Sequence, residues 1–143
     1  MRRLLIRMLI VGAWIAMRAL DASIRLLGVG RTVRVLLATS PDPSGNVQLS
    51  RTALGQVARV VQRASGSTSA YCLRRALLIW WILRWRGAPA DIHCDTGTDS
   101  GHAWVECYGL VIGDRPQLAG TGRFGRFSEL FARPVPRGTG TRL

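Results

Sequence analysis

The sequence contains no lysine: all 20 of its basic residues are arginine. It is also poor in acids, with eight, and holds only three cysteines and two histidines in 143 residues. Three cysteines exclude a disulfide-stapled secreted scaffold, and an odd count leaves at least one thiol free. No run of about 20 apolar residues is present, so a spanning helix is not expected. The uncharged stretch Met8 to Met17 is too short and is bracketed by Arg7 and Arg18. No small-residue cleavage site follows it, so it does not read as a signal peptide, and a cytoplasmic protein is expected. Charged residues make up 20% and apolar residues 48%, which excludes a disordered chain. The length fits one domain that folds without a metal.

The missing acids are unevenly missing. Residues 1–90 carry 14 arginines against Asp21 and Asp42, so the whole net charge of +12 lies there, and residues 91–143 are neutral. The basic part should attract something anionic. At about 100° per residue, Arg3, Arg7, Trp14, Arg18, Asp21 and Arg25 fall on one stripe of a helix. Asp21 and Arg25 are spaced for an i,i+4 pair. The rest of residues 4–27 is nearly all apolar, and so wide a face needs a cover. Three covers are open: the protein's own core, a partner protein, or peripheral contact with a membrane surface.

Four regions follow from composition. Residues 1–40 form an N-terminal helical region, in which Gly28 and Gly30 end the first helix and 31–39 read as helix or strand. Residues 41–48 are a loop. Residues 49–116 form a core, and 117–143 are a tail rich in Gly, Pro and Arg. Within the core, helices are expected over 49–63 and 69–86, the second centred on Trp80, Trp81 and Trp85 and stopped by Gly87 and Pro89. Strands are expected over 90–95, 101–106 and 110–113. Helices first and a small antiparallel sheet after them define an α+β class.

Cys72 falls in the first turn of the later helix, where free backbone N–H groups and the helix dipole favour a thiolate. A cysteine nucleophile needs a base, and the base needs an orienting acceptor. His102 opens a strand (GHAWVE) and Asp114 closes the next one (VIGD). With a two-residue turn, Asp114 would oppose Ala103 and point away from His102. A three-residue turn, Cys107 to Gly109, instead sets Trp104 against Ile112 and His102 against Asp114. The second register is therefore the expected one. An oxyanion hole would use the Cys72 N–H and one further donor, with Gln56 and Gln62 as candidates.

The segments Tyr71 to Leu77 (YCLRRAL), Leu83 to Ala90, Gly101 to Glu106 and Tyr108 to Asp114 together resemble the transglutaminase-like cysteine peptidases of lasso-peptide biosynthesis. The resemblance covers roughly residues 49–116. It implies a papain-like fold, with Cys72 as nucleophile, His102 as base and Asp114 as orienting acid. The substrate it implies is a ribosomal precursor peptide, whose leader is held by a separate recognition protein and whose core passes to a lasso cyclase. No cofactor is implied. Arg74 and the pair His93-Cys94 depart from the family pattern; on a helix surface Arg74 should not matter.

Other readings are weaker. His93, Cys94, His102 and Cys107 lack the spacing of a zinc site. A Cys94–Cys107 disulfide does not suit a reducing compartment. Gly120 to Gly125 matches G-x-G-x-x-G but stands outside any βαβ unit. The tryptophans lie in apolar runs, as core residues do, so nucleic acid is not an expected partner.

Overall fold

A computed structural model describes residues 2–41, 47–66, 72–95 and 102–114. Among these residues, four helices precede a three-stranded antiparallel sheet, an α+β architecture: α1 (Arg2–Leu27), α2 (Val29–Thr39), α3 (Arg51–Ser65), α4 (Cys72–Trp85), β1 (Ala90–Asp95), β2 (His102–Cys107) and β3 (Leu110–Ile112). The strand order is β1-β2-β3.

Local chemistry sets the helix ends. Gly28 ends α1 with φ 77°, but α2 starts at once with Val29, so Gly30 lies inside a helix rather than between two. The ambiguous segment 31–39 is helical because it buries Thr32 and Val33 and not alternate residues. Ser50 caps α3, its Oγ accepting from Ala53 N–H at 3.2 Å. At the end of α4, Ala88 N–H reaches the Leu83 carbonyl (3.0 Å) and Gly87 N–H the Arg84 carbonyl (2.8 Å). With Gly87 at φ 76°, this is a Schellman stop, and the buried Ala88 packs beneath it.

The core lies between α4 and its neighbours. Val61, Leu77, Leu83 and Val105 are wholly buried there, each worth about 1.5–3 kcal/mol against exposure. α4 packs on β1 and β2, and α1 packs on α2, α3 and α4. The N-terminal helices are thus part of the same packing unit as the sheet. α1 contributes Met17 and Leu20 to the core. Trp80 is buried, whereas Trp85 is exposed and meets Trp81 edge-on at 6.1 Å.

Arg74 has a structural role that its surface position did not indicate. Its guanidinium binds the Asp21 carboxylate at 2.7 Å, while Arg25 binds the same carboxylate at 3.0 Å. Asp21 therefore ties α1 to the first turn of α4.

Candidate active site

The β2–β3 hairpin has a different register from the one expected. Cys107 opposes Leu110 and Val105 opposes Ile112, so the turn has two residues, Tyr108 and Gly109. Both have positive φ, 53° and 72°, as in the turns that match strand twist. A tyrosine is a costly choice there, by about 1–2 kcal/mol. Its hydroxyl offsets that cost by donating to the Val47 carbonyl and accepting from Leu49 N–H.

In this register the ladder alone would set Asp114 beside Ala103, on the wrong face for His102. The two side chains nevertheless meet, with His102 Nε2 2.7 Å from Asp114 Oδ2. Gly113 makes this possible. β3 stops at Ile112, and Gly113, at φ 78°, turns the chain so that the next carboxylate swings back over β2. Gln62 on α3 fixes the turn, its Nε2 donating to the Gly113 carbonyl at 2.8 Å. In a neutral imidazole, donation from Nε2 to an ionised carboxylate leaves the lone pair on Nδ1.

Strand alternation sorts the rest of the sheet. Ala103, Val105 and Cys107 join the core, and His102, Trp104 and Glu106 share the other face. Trp104 stacks with His102 (centroids 6.1 Å apart, 23°) and with His93 across the strand pair (5.8 Å, 17°). Its indole N–H donates to Glu106 at 3.2 Å, and His93 Nε2 lies 3.7 Å from the same carboxylate. Trp104 is buried, so the His102 ring rests on a fixed support. This column was absent from the sequence reading, although the i, i+2 spacing within HAWVE carries it.

Cys72 is the first residue of α4 and is half-buried. Burial, and then the proximity of Cys72, push the Cys94 thiol up to about 11. Cys94 opposes Ala103, the neighbour of His102. The start of α4, the end of β1, the start of β2 and the Gly113 turn therefore lie at one end of the α4–sheet layer pair. Cys107 is likewise pushed up to about 11, by burial and then by Asp91. Of the two glutamines, Gln62 is engaged with the Gly113 turn, and Gln56 lines the groove between α1 and α3 beside Leu9 and Val60. The G-x-G-x-x-G stretch and the tail lie outside the described residues.

A thiol at a helix start and a histidine held by an orienting side chain on the packed sheet are the parts that cysteine-based acyl-transfer enzymes use. The family model of the transglutaminase-like superfamily matches residues 16–127, and the chain belongs to that superfamily. The match includes residues 16–27 of α1 and all of α2, in keeping with the packing of Met17, Leu20 and Val33 in the core. No curated protein and no solved structure matches the chain.

Proposed function

We propose that this protein is a cysteine peptidase that removes the leader from a ribosomally made lasso-peptide precursor. The observation that carries the reading is the His102–Asp114 bond, formed at the same end of the sheet where α4 begins with Cys72. The C-L-x-R-A-L and H-A-W-V-E elements supply its narrower, peptide-processing part.

In the proposed reaction, His102 Nδ1 takes the Cys72 thiol proton and the sulfur attacks the scissile carbonyl. The carbonyl oxygen gains negative charge, and the N–H groups at the start of α4 face it. The tetrahedral adduct collapses as His102 returns the proton to the leaving amine. Water, deprotonated by His102, then attacks the thioester, releasing the leader acid and restoring the thiol. Asp114 holds the imidazole in the tautomer that both halves need. The reaction requires no cofactor. Trp104, itself bonded to Glu106, supports one face of the ring.

The family resemblance supplies the partner: a separate recognition protein holds the leader and presents the peptide to Cys72. Tethering raises the local peptide concentration to about the millimolar range without new contacts at the thiol. A lasso-type precursor peptide, incubated with the enzyme and a leader-recognition protein, should be cut at one bond with uptake of one water. At dilute peptide, omitting the recognition protein should slow cleavage by about 10²-fold, within the avidity range of a tethered substrate. Saturating peptide should restore part of the rate. Equal rates with and without the partner would refute the delegation of substrate choice. A product joined to an added amine, in place of the free acid, would make the protein an acyl transferase.

A further inference from the structure

The solvent side of α1 carries an apolar stripe that the fold does not cover. Leu4, Met8, Val11, Ile15 and Leu26 lie within about 60° of one another on the helix and are between 56% and 83% exposed. The stripe runs for about 33 Å, at 1.5 Å per residue. Arg7, Arg18 and Arg25 line one edge and are exposed. Trp14 sits on that edge, half-exposed, with the Arg18 guanidinium 5.3 Å from its ring. On the other edge the apolar surface continues through Leu9 and Gly12 into a groove of about 370 Å³ between α1, α3 and α4, lined by Val57, Val60 and Trp81.

From this we infer that α1 lies in the plane of an anionic lipid surface, with the stripe among the acyl chains and the arginines at the headgroups. Charge selects this occupant. Asp21 is the sole acid of α1, and it is turned inward and held by Arg25 and Arg74. The stripe therefore presents apolar groups and positive charge only. A second copy would bring a like-charged edge against it, and residues 115–143 of this chain are themselves basic. An anionic interface meets both demands at once: it takes the leucines, accommodates the tryptophan at its edge, and neutralises guanidinium groups that reach up beside them. Among the described residues no helix is long and apolar enough to cross a membrane, which fits a helix lying flat.

Co-sedimentation of the full-length protein with vesicles tests the inference. Vesicles of phosphatidylglycerol and phosphatidylcholine in equal parts should bind it at least tenfold more tightly than phosphatidylcholine alone, and 0.5 M NaCl should weaken binding. The triple variant Leu4→Ser, Met8→Ser, Ile15→Ser keeps every charge and removes only apolar contact. It should lose at least tenfold in affinity with an unchanged far-ultraviolet circular dichroism spectrum. Unchanged binding of that variant would mean that charge alone holds the protein, and would overturn insertion. Absence of binding to both vesicles would overturn the proposal outright, as would a dimer that the triple variant dissolves and that ignores lipid. Because vesicle binding does not involve Cys72, the result is independent of peptidase activity.

Discussion

Cys72→Ala and His102→Ala should each lower precursor cleavage by about 10⁴-fold or more, because nucleophile and base act as a unit and the loss of either removes the covalent route. The double variant should be no worse than either single one. Asp114→Ala should cost less, about 10²-fold, since the carboxylate orients a ring that Trp104 still supports. Cys94→Ser and Cys107→Ser should stay active. Single-turnover cleavage followed by mass spectrometry measures all six. Substantial activity in a folded Cys72→Ala protein would exclude the mechanism. Equal losses for Asp114→Ala and His102→Ala would show that the tautomer, and not the ring position, is limiting.

The second large effect is expected from a residue with no side chain. A Cβ on Gly113 would stand 3.1 Å from Ile79 Cδ1 and 3.3 Å from Ala58 Cβ, and the backbone there has φ +78°. Gly113→Ala therefore combines left-handed strain of about 1–2 kcal/mol with crowding against two packed helices. The turn would relax away from α3, break the Gln62 bond and carry Asp114 off His102. We expect a melting temperature lower by about 4–8 °C, from the usual entropy of a domain this size, together with an activity loss like that of Asp114→Ala. Gly109→Ala is the control. It has a similar φ, +72°, but nothing within 4 Å of the added carbon. It should lose stability without losing activity per folded molecule. If Gly113→Ala melts lower yet cuts at the parent rate, the turn does not position Asp114.

The sequence made the elements plain where a single chemistry decided them. Gly87, expected to stop the helix over 69–86, does end α4, whereas Ser50, the cap of α3, lay inside the helix expected over 49–63. The pairing of His102 with Asp114 was also legible, but the geometry argued for it was not the one the chain uses. The expected register set the two residues opposite each other across a ladder. The real ladder does not, and the contact depends on a backbone break at Gly113 that hairpin rules do not contain. Tyr108 hid the two-residue turn, because its left-handed conformation is supported from Val47, 61 residues away in sequence. Arg74 was misjudged for the same reason: its partner Asp21 lies on a helix whose docking no local pattern reveals. The half of α1 that enters the core and the stripe that stays outside are equally apolar, so composition could not separate them.

The central claim is that Cys72, and neither of the other thiols, is activated by His102. Alkylation by iodoacetamide at pH 7, read peptide by peptide, tests it most directly. Cys94 and Cys107, with thiols pushed up to about 11 by burial, remain protonated at that pH and should react slowly until the solution approaches that value. Cys72 should react faster than either by about 10²-fold, the reach of a positioned base, and His102→Ala should remove most of that advantage. Labelling of Cys94 or Cys107 as fast as Cys72, or a Cys72 rate indifferent to His102→Ala, would contradict the account.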